Sequence, residues 1–139
     1  MNEKVIFAAV RNSDINSGDG AITYDSLTTN IGEGMVASTG TFTTPVAGLY
    51  MFTFSAISAN SNTLEVTISV KKNGTQMFVI DDEESSLSGA KERNISYTWI
   101  LDLSLDDTVF LEMNTGGLHV DSTANADQVH FTGQLLHAN

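Results

Sequence analysis

The stretch from Gly40 to Phe54, Gly-Thr-Phe-Thr-Thr-Pro-Val-Ala-Gly-Leu-Tyr-Met-Phe-Thr-Phe, limits the possible folds of this chain more than any other part of it. It holds the only proline, Pro45, in a turn that closes at Gly48. From there Tyr50, Phe52 and Phe54 alternate with Leu49, Met51 and Thr53. A period of two turns successive side chains to opposite faces of a strand. Three aromatics on one face, with Leu49 and Met51 behind them, predict a strand buried on one side and largely covered on the other. Taken alone, the pattern fits a core strand of any β-domain.

The rest of the chain carries the same period. Val5 to Val10 reads as a first strand, and Asn12 to Gly20, rich in Asn, Ser, Asp and Gly, as a loop. Ile22 to Leu27 and Gly34 to Val36 read as short extended pieces. Leu64, Val66, Ile68 and Val70 alternate with Glu65, Thr67, Ser69 and Lys71, which predicts an antiparallel strand with one wet face. Asn73-Gly74 then predicts a two-residue hairpin returning through Gln76 to Ile80. Asp81 to Arg93 reads as a charged, Ser-rich loop. Ile95, Tyr97, Trp99, Leu101 and Leu103 mark a long strand, Asp106-Asp107 a turn, and Thr108 to Met113 another strand. Asn114 to Ala126 reads as a long loop, and Val129 to Leu136 as the closing strand. No helical period is sustained. An all-β jelly-roll sandwich of about ten antiparallel strands follows, built as a single domain over residues 1–139.

The spacing of particular residues narrows this class. Phe42 stands six residues before Gly48, Met35 seven before Phe42, Asn30 five before Met35 and Tyr24 six before Asn30. Together with Gly48-x-Tyr50-x-Phe52-x-Phe54, this series resembles the signature of the C1q globular-head family, in the C1q/TNF superfamily. Tyr24 occupies a position that is usually Phe there, and Met35 one that is usually aromatic or Leu. Leu105 to Leu111 resembles the family's Leu-x-x-Gly-Asp-x-Val-x-Leu segment, with Asp106 in place of the Gly. Gly117 to Asp121 and Phe131 to Leu136 resemble its last loop and last strand. The resemblance implies a ten-stranded jelly roll that assembles as a homotrimer and recognises ligands. The collagen-like stalk usual in the family is absent from these residues.

Charge and composition exclude several functions. Seventeen acidic against six basic residues leave a net charge of −11, a field that repels phosphate backbones and argues against nucleic acid or anionic membrane surfaces as partners. There is no cysteine, which removes disulfides, thiolate catalysis and Cys-based zinc sites. No apolar run approaches a membrane span in length, and Met1-Asn-Glu-Lys4 is not the start of a signal peptide. His119, His130 and His137 occur among many serines and aspartates, yet no Gly-x-Ser-x-Gly elbow accompanies them, so no enzyme is expected. His130 alternates out of phase with Val129 and Phe131, which turns it towards solvent or a neighbouring subunit. Asp14 to Asp25 starts like an EF-hand but places Gly18 at a ligand position and Asp19 at the glycine turn.

Two groups of residues remain as candidate sites. Four adjacent carboxylates begin at Asp81 and Asp82, and a hard cation would relieve their repulsion. Family resemblance implies a calcium site near this strand end, with Asp81 or Asp82 as ligand. A second acidic position expected before the next strand corresponds to Arg93, whose guanidinium offers another way to neutralise the same carboxylates. The alternative is a solvated acidic loop. His119, Asp121, Asn125 and Asp127, in the loop before the last strand, are candidate ligand-binding residues. Asn73-Gly-Thr75 and Asn94-Ile-Ser96 match the glycosylation acceptor pattern. The leading functional expectation is a secreted, lectin-like innate-immune module for glycans or microbial surfaces. The alternatives are a receptor-binding, cytokine- or adipokine-like ligand and a structural matrix or shell protein.

Overall fold

The computed structural model describes residues 3–58, 64–84, 93–120 and 128–139. Thirteen strands and no helix occur among them, arranged in two antiparallel sheets: a jelly-roll sandwich. The excess over ten comes from short pieces. In chain order the strands are β1 (Ile6–Arg11), β2 (Ile15–Asn16), β3 (Gly20–Ala21), β4 (Ser26–Ile31), β5 (Met35–Val36), β6 (Thr41–Thr43) and β7 (Gly48–Ser58). There follow β8 (Leu64–Lys72), β9 (Thr75–Glu84), β10 (Asn94–Leu103), β11 (Thr108–Thr115), β12 (Gly117–His119) and β13 (Val129–Ala138).

The aromatic strand is the centre of the first sheet. β7 pairs with β10 along one side, and with β13 and then β12 along the other. β13 continues to β1 and β4, while β12 continues to β2. Tyr50, Phe52 and Phe54 are fully buried, as their alternation requires. Phe52 sits among Trp99, Phe42, Phe131 and Phe7, with ring centroids 5.6 to 6.2 Å away. Phe42 comes from β6 in the second sheet and stacks on Phe7 at 5.0 Å, so the aromatic cluster joins the two layers. Gly48 is required by a close approach: a Cβ there would lie 2.2 Å from the His137 carbonyl oxygen on β13.

The second sheet runs β5-β6-β11-β8-β9, with β3 also on β11. Val66, Ile68, Val70, Val109 and Leu111 fill its inner face. Asn73 and Gly74 form the hairpin with φ of 53° and 80°, the positive pair that a two-residue turn of this kind demands. Both ends of the Asn73 amide are used: Nδ2 donates to Asp107 Oδ1 and Oδ1 accepts from the Thr108 N–H, each at 2.9 Å. This amide, with the Ser104 N–H, holds the Asp107 carboxyl below its ordinary range. Asp106, standing where the resembling segment carries Gly, has φ of 69°, the left-handed region that Gly enters freely and Asp tolerates.

Four expectations need correction. Asn12 to Gly20 is not wholly loop, because Ile15–Asn16 pairs with β12. Asn114 to Ala126 likewise contains the end of β11 and the whole of β12. Asp81 to Glu84 is strand rather than loop: β9 runs on beside β8, pairing Thr67 with Asp81 and Leu64 with Glu84, and the backbone ladder outweighs the repulsion of adjacent carboxylates. Ser69, on the face expected to be wet, is 1% exposed. Its Oγ donates to Gln76 Oε1 and accepts from Asn114 Nδ2, so a small polar cluster covers that face locally.

Two buried tyrosines on the same core give opposite expectations. The Tyr50 hydroxyl donates to the Val46 carbonyl at 2.6 Å, pinning the turn before β7. Tyr24 Oη is buried without a hydrogen-bond partner among the described residues, and burial pushes its phenol well above the usual range. Tyr50→Phe should therefore cost about 1 kcal/mol, whereas Tyr24→Phe should leave stability unchanged or raise it. Paired denaturant titrations measure the contrast directly.

Candidate functional site

Val120 and Gln128, which flank the candidate residues before the last strand, are both bonded to the chain's first loop. Arg11, at the end of β1, organises that first loop. Its Nε donates to the Ser13 carbonyl and Nη2 to the Asp14 carbonyl, both at 2.8 Å, and Nη1 reaches Thr23. Asp14, so placed, accepts the Val120 N–H at 2.8 Å and lies 3.4 Å from His119 Nδ1. At the other end Gln128 Nε2 donates to Asn12 Oδ1. Of the four ligand-binding candidates, His119 is thus tied to Asp14 beside β12. Asp121, Asn125 and Asp127 lie outside the described residues. The role of Arg11, Asn12 and Asp14 is not legible in the sequence, since their partners are up to 116 residues away.

The acidic run has a different geometry. Asp81 and Asp82 are neighbours in one strand, so their carboxylates leave β9 on opposite faces. Asp81 is exposed, whereas Asp82 is half-buried and lies 3.2 Å from Arg93 Nε. Arg93 stands just before β10, and the pair spans the gap between the two sheet edges. Among the described residues no group of three or more His, Asp or Glu side chains is placed to hold a metal ion. A guanidinium already on Asp82, with Asp81 directed away, keeps these two carboxylates from converging on one cation. Thermal melting in millimolar calcium and in chelator should accordingly coincide. A calcium-dependent rise abolished by Asp81→Asn with Asp82→Asn would instead establish the metal site.

The third arrangement is the outer face of the first sheet, which register displays in rows across five strands. Ile100, Met51, Gln134, Ile6 and Ile31 form one row, from β10 through β7, β13 and β1 to β4. Thr98, Thr53, Thr132, Ala8 and Thr29 form the next. Ile6, Ile31 and Ile100 are 37%, 47% and 53% exposed, high values for isoleucines in regular strands. A depression of about 220 Å³ lies on this face across the two rows, with Ile6, Met51, Gln134, Thr53 and Thr29 on its wall. Only part of this face is legible in the sequence, from the apolar residues on both sides of several strands.

Comparison with known proteins agrees with this architecture. A family model described as the C1q domain matches residues 6–136. The human protein named complement C1q tumor necrosis factor-related protein 3 is 30% identical over 118 residues, 85% of this chain and 46% of its own length. The mouse protein of the same name is 31% identical over the same shares. The chain therefore spans about half the length of these curated relatives. Among solved structures, the globular domain of zebrafish complement 1qA superposes with a TM-score of 0.75 at 20% identity, over 97% of this chain and 99% of that one. Murine APRIL gives 0.71 at 13% identity, over 96% and 100% of the two chains. Eiger TNF from S. frugiperda gives 0.70 at 10% identity, over 97% and 95%. At those identities the structures attest the fold, while the family model covers nearly every residue of the sandwich: this chain belongs to the C1q domain family.

Proposed function

We propose that the chain is an extracellular, trimeric recognition module of the C1q family that binds glycans on microbial or self surfaces and catalyses no reaction. The observation that carries this reading is the unpartnered outer face of the first sheet. A sandwich needs only its inner faces to build a core, and here the inner faces already join in one buried cluster among the described residues. The additional apolar row through Ile100, Met51, Ile6 and Ile31 is a second face in want of a cover, and further copies of the same chain supply one.

Light scattering at micromolar concentration should give three chains per particle, and a glycan array should give saturable signals for a subset of sugars. A monomer mass, or a blank array, overturns the corresponding half of the proposal. The names of the relatives and the fold shared with APRIL and Eiger TNF favour a second reading, a ligand for a protein receptor. Nanomolar binding to one receptor with a blank array would establish it. Assembly beyond the trimer would favour a structural shell or matrix.

A further inference from the structure

The tip of the β8–β9 hairpin carries a chemical liability that the fold holds in check. Asn73-Gly74 is the only Asn-Gly pair in the chain. Asparagine is thermolabile because the following backbone nitrogen can attack its side-chain amide. Glycine offers that attack the least obstruction, having no side chain beside the nitrogen. The Gly74 nitrogen bonds to Asn73 Cγ, ammonia leaves, and a cyclic imide closes. Water then opens the ring at either carbonyl, giving aspartate or the isomer whose backbone runs through the side chain. The turn cannot dispense with the pair, since it needs positive φ at both positions. Both residues are exposed, so water reaches the tip.

What opposes the reaction is a clip to the turn before β11. Asn73 Nδ2 on Asp107 Oδ1 and the Thr108 N–H on Asn73 Oδ1 fix both ends of the amide. The Asn73 N–H bonds to the Thr108 carbonyl at 2.9 Å, which fixes the backbone beside it. Asp107 is anchored independently. Its Oδ2 accepts the Ser104 N–H, and its carbonyl accepts both the N–H and the hydroxyl of the fully buried Thr44, each at 2.8 Å. Attack requires Asn73 Cγ to turn towards the Gly74 nitrogen, and that turn breaks both side-chain bonds.

The product cannot rebuild the clip. Aspartate at position 73 has no N–H to give Asp107 and sets a second carboxylate against it at hydrogen-bond distance. Lys72 Nζ, 3.8 Å from Asp107 Oδ2, offsets only part of that repulsion. The isomer adds a main-chain atom to a two-residue turn and so displaces β8 against β9. We propose that Asn73-Gly74 is a deamidation site gated by this clip: shut while the hairpin is docked on β11, open when it lifts away, and unable to shut again once modified. The domain thereby keeps a cumulative, one-way record of its own local opening. The site lies in the second sheet, away from the apolar row, and acts whichever ligand the module takes.

The test ages wild-type protein in mildly alkaline buffer, folded and in guanidinium, and follows conversion at residue 73 by peptide mapping with mass spectrometry. Conversion should be roughly tenfold slower, or slower still, in the folded protein. Asp107→Ala frees the amide, and in a variant whose far-ultraviolet spectrum remains that of a β-sandwich it should speed conversion about tenfold. Asn73→Asp stands for the product and should lower the melting temperature by about 5 °C. Asn73→Asp with Asp107→Asn returns one amide and one carboxylate to the contact, and should recover most of that loss. Equal rates in folded and denatured protein, or an unaltered rate in folded Asp107→Ala, overturn the gate. An Asn73→Asp domain that melts as wild type, or a double variant that melts as low as the single one, overturns the claim that the product cannot close the clip. If Asp107→Ala does not fold, the wild-type rates and the Asn73→Asp pair decide between these outcomes.

Discussion

Phe52→Ala should collapse the stability of this domain. Phe52 is fully buried and its ring lies within 6.2 Å, centroid to centroid, of those of Phe7, Phe42, Tyr50, Trp99 and Phe131. These come from β1, β6, β7, β10 and β13, so one truncation loosens contacts in both sheets. A buried aromatic cut to alanine costs about 3–5 kcal/mol, through lost transfer energy and the cavity left behind. Against a total stability of roughly 5–15 kcal/mol, that removes about a fifth of the margin at the least and all of it at the most. The melting temperature should fall on the order of 10 °C or further, and soluble yield with it. Leu105→Ala provides the control, because Leu105 is 60% exposed and its loss should leave melting unchanged. A Phe52→Ala melting curve that superposes on wild type would mean the aromatic cluster is not the centre of the core.

Charging the outer face should act on assembly instead. Ile6→Asp with Ile100→Asp places a carboxylate on β1 and another on β10, at two points of the apolar row. In an isolated chain both positions are substantially exposed, so the fold should persist and the far-ultraviolet spectrum should stay that of a β-sandwich. In a trimer each chain would bury two unpaired charges, at a cost of several kcal/mol per ion, within a particle already strongly acidic. Light scattering at micromolar concentration should therefore change from three chains, each of 14.9 kDa, to one. Wild-type and variant protein with the same particle mass would show that this row takes no part in assembly.

The long strands are legible in the sequence because their period is uninterrupted. The inward sets on β7, β8 and β10 are the alternating residues of the sequence pattern, and Asn73-Gly74 makes the tight turn its φ preferences imply. The spaced positions from Tyr24 to Phe54 likewise lead to the family. Less is legible where structure depends on a distant partner. β2, β3, β5 and β12 are two or three residues long, too short to express a period, and exist because a neighbouring strand offers them a ladder. Asp81 and Asp82 read as loop because their mutual repulsion is local, whereas the backbone bonds to β8 and the Arg93 guanidinium that outweigh it are not.

The outer face of the first sheet shows the same limit most clearly. Ile6, Ile31, Met51 and Ile100 are far apart in the chain and carry no shared signal. Alternation determines which face of its own strand a residue occupies, and the covalent geometry of the chain sets this locally. Which residues of different strands stand in one row depends on register, including the bulges in β1 and β13, and register is settled by the packing of the whole sandwich. The sequence by itself therefore determined the β class, the buried aromatic strand and the family. Only the tertiary structure decided that these apolar residues gather in one row of the outer face, because that row is a property of five strands in register and of none alone.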